Sequence, residues 1–290
     1  MMMTKLDKET KKWLRLIKKK PIAFGIEGGF KDLKNIHNEW IRSFLFAEED
    51  QTLQAHRGSY KTTCLSIAIA LIIVVRPWLN IIFIRKSDDD VKEIVAQIAK
   101  LLKTDWFQSL SMVLWEKPCI LEKESAFEID TNLKQGPRGT SQLIGMGTMS
   151  SITGKHADII ITDDIVNIDD RISKAHRERT KLTYQELQNI RNPGGRIINA
   201  GTPWHKDDCF TLMPNIIKYD CYSTGMMTDA DIQAKRNSMT TSLFAANYEL
   251  KHIADEKALF TAPTIDDGSN TEKIYNGVAH IDAAYGGEDG

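Results

Sequence analysis

The sequence predicts an α/β fold with a mostly parallel sheet. Three observations carry that expectation. Apolar runs of strand length (Asn80–Ile84, Asp158–Thr162, Arg196–Ala200) alternate with helical segments. One apolar run of 12 residues, Cys64–Val75, interrupted only by Ser66, follows a polar loop and stops at Arg76-Pro77, as a buried helix behind a sheet does. The residues suited to chemistry stand at strand ends, where ligand sites of parallel α/β sheets gather.

From the N-terminus, residues 4–20 form a basic amphipathic segment. Trp13, Leu14, Leu16 and Ile17 are interleaved with Lys11, Lys12, Arg15 and Lys18 to Lys20. It reads as a solvated helix lightly packed on the body, in preference to a docking face for DNA or a partner subunit, because charge runs are common on helix surfaces. Asn35–Phe46 is helical, carrying Trp40, Ile41, Phe44 and Leu45, and Thr52–Ala55 is a short strand. A helix over Lys61–Val75 ends before Pro77. After the strand Asn80–Ile84 come Arg85, Lys86 and Ser87, then a helix from Asp88 to Lys103 whose aspartates favour its positive end. From Leu114 to Thr153 the pattern is short strands and turns, punctuated at Gly136–Gly139 and Gly145–Gly147. A buried strand, Asp158–Thr162, ends at Asp163-Asp164. A charged helical stretch follows over Arg171–Ile190. Arg196–Ala200 then leads to Gly201-Thr202-Pro203, and Met239–Leu250 reads as one helix.

The composition is that of an ordinary globular protein, 42% hydrophobic and 27% charged over 290 residues, a length that suggests roughly two domains. A formal net charge of -1 gives no global field for nucleic acid, so any DNA contact rests on local patches. The four cysteines are far apart without metal spacing, which fits reduced thiols. The longest apolar run falls short of the ~20 residues that span a bilayer, and the lysine-rich N-terminus is no secretory signal.

The chemistry centres on Ala55–Thr63. Its Lys61-Thr62 pair matches the end of a phosphate-binding loop, where the ammonium reaches β- and γ-phosphates and the hydroxyl holds Mg²⁺. Backbone N–H groups of Gly58, Ser59, Tyr60, Lys61, Thr62 and Thr63 would face the same anion. The usual outer glycines are replaced by Ala55 and Tyr60, where a side chain is costly if the backbone is unusual. The second element is the apolar strand delivering Asp163 and Asp164, 102 residues after Lys61. The first carboxylate suits the metal, the second a proton from attacking water. The third is Gly201-Thr202-Pro203, a strand end suited to sensing the γ-phosphate. Arg57 either acts as an arginine finger or binds phosphate or a surface partner in the ground state. Gln51 and Trp40 are guesses for the adenine contact. His156 and His205 read as structural.

Read together, His56–Thr63, Ser151–Ile165, Gly194–Asp208 and His280–Gly287 resemble the large terminase subunit of tailed bacteriophages, from about Asn38 onward. That resemblance implies a RecA-like P-loop ATPase that drives double-stranded DNA into a procapsid, and a C-terminal RNase H-like nuclease. It makes Lys61, Arg57 and Asp164 catalytic. ATP falls to Arg57 through Thr63, Asp163, Gly201 and Thr202, and Mg²⁺ to Thr62 and Asp163. Family loops carry an arginine upstream of the lysine, as Arg57 stands here, and usually a Glu where Asp164 stands. Asp282 matches the first metal carboxylate of the nuclease, which holds Mg²⁺ or Mn²⁺. With only eight residues after it, the nuclease is expected to be mostly missing and inactive. Expected partners are the portal protein, the small terminase subunit and further copies in a ring on the procapsid, in the host cytoplasm and without a membrane. The expected divisions are a basic extension (1–35), the ATPase domain (36–226), a helical linker and connector (227–270) and the start of the nuclease (271–290). Two alternatives stand beside this reading: a helicase-like P-loop ATPase without nuclease, and a degenerate module that binds DNA or a partner without hydrolysis.

Overall fold

Asp7 opens the first helix by accepting the Thr10 N–H (2.7 Å). The computed structural model describes residues 7–136 and 139–252. Helix α1 (Lys8–Lys19) and α2 (Ile22–Glu27) precede α3 (Asn35–Phe46). Then come β1 (Gln51–Ala55), α4 (Lys61–Val75), β2 (Ile81–Arg85), α5 (Asp88–Leu102) and α6 (Asp105–Trp115). Strands β3 (Leu121–Glu124), β4 (Glu128–Thr131) and β5 (Leu143–Gly147) lead to β6 (Ala157–Asp163). Two helices, α7 (Ile168–Ile172) and α8 (Lys174–Ile190), precede β7 (Arg191–Gly201) and β8 (Ile216–Tyr219). The described chain closes with α9 (Asp229–Asn237) and α10 (Thr241–Phe244), the latter running into a π turn at Ala245–Glu249.

The eight strands form one sheet in the order β3-β4-β5-β2-β6-β7-β1-β8. Every pair from β5 to β8 is parallel, and β3 and β4 add an antiparallel edge. Strand alternation divides the sheet's apolar residues between two faces. Phe83, Ile159 and Ile161 join α4 in one core, and Ile82, Ile84 and Ile160 meet Tyr184 and Leu187 of α8 in another. Helix α4 is buried on every side, because α3, α5 and α6 cover what the sheet does not.

Several expectations are refined. Residues before 36 are not lightly attached: Ile17, Ile22, Phe24 and Leu33 share the core of α3 and α4. Trp13 also sits 5.9 Å from Phe24 and 5.6 Å from Trp106, edge to face with the latter. Helix α6 and strand β8 have no counterpart among the expected elements. The segment Met239–Leu250 is not one regular helix: Thr240 caps its start by accepting the Leu243 N–H (3.3 Å), and Leu250 ends it at a left-handed φ of 56°. Cys221, Ile232, Phe244 and Tyr248 form a small core of their own at this end of the chain. All four cysteines are buried thiols. No described helix is long and apolar enough to cross a membrane. Asp282, the connector and the expected nuclease strands lie outside the described residues.

Candidate active site

Pairing register brings the ends of four strands to one level. Ile84 lies opposite Thr162, Asp163 opposite Ala200, and Ala200 opposite Leu53. The residues that follow β1, β6 and β7, and the last residue of β2, therefore share one edge of the sheet.

The loop after β1 is held by its backbone. Gly58 (φ 79°) and Tyr60 (φ 59°) both occupy the left-handed region. Ala55 does not: it is an ordinary strand residue, so replacing the first glycine of the pattern costs nothing in backbone strain. The conformation of Tyr60 costs about 1–2 kcal/mol, and the surroundings hold it there. His37 of α3, fully buried, accepts the Lys34 N–H at Nδ1 (2.7 Å), which leaves Nε2–H to donate to the Ser59 carbonyl (3.1 Å). His56 donates from Nδ1 to the Arg57 carbonyl (2.9 Å) and accepts the Thr224 hydroxyl at Nε2 (2.8 Å). The Arg57 N–H donates to the Asn247 carbonyl (3.0 Å) in the π turn. Burial holds both histidines below their ordinary range, and Lys61 adds to the effect at His56.

Lys61 and the acidic pair converge. Lys61 Nζ lies 3.4 Å from Asp164 Oδ2, and the Thr62 hydroxyl donates to Asp163 Oδ2 (2.8 Å). Asp163 is wholly buried. Burial, with Asp164 alongside, pushes its carboxyl up to about 6, while Arg85, Lys61 and Thr62 pull the other way. Its Oδ1 has no hydrogen-bond partner among the described residues. Asp164 is partly exposed and takes a left-handed φ of 48°, its N–H donating to the Ala200 carbonyl (2.9 Å).

The end of β7 closes the site. A Cβ on Gly201 would meet Phe210 Cζ at 2.9 Å and Asp164 Oδ1 at 3.3 Å, so the glycine makes room for that carboxylate. The Thr202 hydroxyl donates to the Ala55 carbonyl (2.9 Å), tying this strand end to the start of the loop. Arg57 is exposed and lies over the Trp204 ring, 5.6 Å from its centroid. Thr63 sits half-buried in the first turn of α4, and Ser59 is buried with a hydroxyl that has no partner among the described residues.

Arg85 is the residue that sequence reading passed over. Its Nε lies 3.0 Å from Asp163 Oδ2 and its Nη2 3.7 Å from Asp164 Oδ2. The signal was alternation: Arg85 extends the strand by one residue onto the site, and Lys86 faces the opposite way to pair with Asp170 (2.8 Å). The two adenine guesses fail on placement. Gln51 begins β1, at the end away from the loop, and its amide is bonded to Ser43. Trp40 is buried edge-on to His37 and tilted against Tyr219. The cavity of about 200 Å³ that both line includes no residue of 56–63. His205 accepts the Asp207 N–H at Nδ1 (3.0 Å), and no cluster of three or more His, Cys, Asp or Glu suited to a metal occurs among the described residues.

The donors fit a single Mg²⁺ of the nucleotide-bound kind. Such an ion takes hard oxygen ligands, one or two carboxylates plus hydroxyl and phosphate oxygens, and keeps water. Thr62 Oγ1 and Asp163 supply that set, and the orphaned Oδ1 of Asp163 leaves a buried acceptor unused.

No family model matches this sequence, and no curated protein does. Solved structures do. The large terminase ATPase domain of Thermus phage P74-26 superposes with a TM-score of 0.53 at 12% identity, over 80% of this chain and 98% of that one. A mutant of the same domain gives 0.51 over the same shares. The large terminase of a second thermophilic bacteriophage, in complex with ATP-γ-S, aligns at a TM-score of 0.48 and 8% identity, over 76% of this chain and 53% of that one. At such identities the likeness is one of architecture: this chain has the RecA-like α/β fold of the large terminase ATPase domains.

Proposed function

We propose that this chain is the ATPase part of a large terminase, a motor that hydrolyses ATP to move double-stranded viral DNA into a procapsid. One observation carries the reading. Two acidic residues and a Lys-Thr pair, distant in sequence, meet within hydrogen-bond and ion-pair range at the same sheet edge.

In this reading Lys61 leaves Asp164 to bind the β- and γ-phosphates, and the backbone N–H groups from Gly58 to Thr63 cradle them. Thr62 and Asp163 would hold Mg²⁺, which would offset the charge of the phosphates. Asp164 orients a water and accepts its proton as the water attacks the γ-phosphorus and the bond to the departing ADP oxygen breaks. Arg57, resting on Trp204, neutralises charge that grows on the transferred phosphoryl group. Gly201 and Thr202 feel the loss of phosphate through Asp164 and through the Ala55 carbonyl. The portal protein, the small terminase subunit and a ring of further copies on the procapsid are the expected partners in the host cytoplasm. A nuclease with Asp282 among its ligands belongs to the same reading.

ATP turnover by the 290-residue chain, with and without double-stranded DNA, tests it. Turnover is expected to vanish in Lys61→Ala together with nucleotide binding. Asp164→Asn is expected to keep binding and to lose about 100-fold or more in kcat. An unmutated chain that hydrolyses nothing under either condition sinks the reading, and equal loss of binding and turnover in Asp164→Asn makes that residue a ligand instead of a base.

A further inference from the structure

Asp164 Oδ2 has two cations within ion-pair range, Lys61 Nζ at 3.4 Å and Arg85 Nη2 at 3.7 Å. In the proposed ATPase, on which this inference rests, Lys61 is committed elsewhere once phosphates arrive. We propose that Arg85 then holds Asp164 alone, and that it is the positioning residue that aims the base.

The backbone cannot set that aim by itself. Asp164 is pinned at the Cα by its left-handed φ and by its N–H on Ala200. What remains free is the side-chain torsion of a short carboxylate, and its direction is set by whatever grips the oxygens. Arg85 suits the task because its donors stand in one rigid plane. Nε faces Asp163 Oδ2 at 3.0 Å while Nη2 faces Asp164 Oδ2 at 3.7 Å, so one planar group spans the two carboxylates. The Nε contact is charge against charge but out of line for a hydrogen bond, leaving Nε–H without an acceptor in the described structure. Small adjustments of the fork are therefore open to it when Lys61 moves.

Arg85 itself is anchored. It closes β2 opposite Gly147, and its carbonyl accepts the Thr148 N–H (2.9 Å). Lys86, next in sequence, cannot substitute: its ammonium donates to Asp170 (2.8 Å) and Thr180 (3.0 Å) on the far side of the strand. Arg57 is no substitute either, since it lies over Trp204. Arg85 thus acts through Asp164 and Asp163, not on the nucleotide.

The test is steady-state ATP hydrolysis by the full chain with double-stranded DNA, paired with binding of a fluorescent ATP analogue. Arg85→Ala is expected to lose about 100-fold in kcat, the cost of a misplaced reacting group, with KM for ATP within about threefold of the unmutated value. Arg85→Lys is expected to recover roughly a tenth of native kcat, because a point charge holds one carboxylate but not two. Added to Asp164→Asn, Arg85→Ala should cost nothing further, since the base it aims is gone. Should Arg85→Ala fail to fold by thermal melting, Arg85→Lys and the double variant built with it decide.

Native kcat in Arg85→Ala, or a raised KM at unchanged kcat, or losses that add to those of Asp164→Asn, would each overturn the proposal. If the unmutated chain turns over and Asp164→Asn does not, those outcomes sink Arg85 alone. An inert unmutated chain sinks the ATPase reading and Arg85 with it.

Discussion

Gly201 contributes by what it lacks. Any side chain there runs into Phe210 Cζ and presses on Asp164 Oδ1. Gly201→Ala is therefore expected to lower ATP turnover about 10-fold or more by re-aiming that carboxylate. It should also cost about 1–3 kcal/mol of stability from overpacking, read from urea midpoints. Normal turnover in a stable Gly201→Ala protein would remove the glycine from the site. Two other residues show what local sequence can and cannot disclose. Tyr60 was legible as strained, because the loop pattern asks for glycine there, and it does sit at positive φ. Arg85 was not, because Arg-Lys-Ser before three aspartates reads as the entry to a helix, and only the strand's true end tells which side chain faces the carboxylates.

At the scale of elements, α4 follows directly from its apolar run. It has no polar face because no face meets water: residues from Cys64 to Val74 are buried. Truncating Ile69, fully buried mid-helix, should cost about 2–5 kcal/mol in chemical denaturation, from lost burial and the cavity left behind. An exposed-site cost of a few tenths would contradict the packing. The central parallel strands were equally legible, since β2, β6 and the second half of β7 are apolar on both faces. The far edge was not: β8 is largely exposed and has no apolar run or alternation of strand length in Ile216–Tyr219, whereas β3 lies within the stretch read as short strands and turns. Helix α6 escaped for a different reason: it follows α5 after only Lys103 and Thr104, and no side-chain cap bond marks its start. The proximity of Lys61 to Asp164 was implied by motif order, whereas the grip of α3 on the loop through His37 had no sequence signature, a lone buried histidine being commonplace.

Two buried imidazoles beside the loop tie the stability of the whole molecule to acid. His37 and His56 titrate below the ordinary value of 6.5 in the fold, and at that value when unfolded. Their contribution to stability is thus complete above pH 6.5 and is lost as pH falls through the lowered folded values, because the unfolded chain takes up protons first. Protonation of His37 also removes the acceptor for the Lys34 N–H, and Lys61 opposes a charge on His56. Between about pH 7 and pH 5 the two histidines should lower the melting temperature against the opposing proton uptake of buried Asp163, and His37→Asn, whose amide oxygen can still accept from Lys34, should remove the share due to His37. An unchanged slope would mean that other groups govern it. The same two histidines belong to a wider linkage. The phosphate loop hangs from the segment after β8 by Arg57 to Asn247, and by His56 to Thr224 and the ring of Tyr248. In the proposed ATPase, a pull on the backbone near Asn247 would reach the loop proposed to bind the triphosphate through a single carbonyl, the one that accepts the Arg57 N–H.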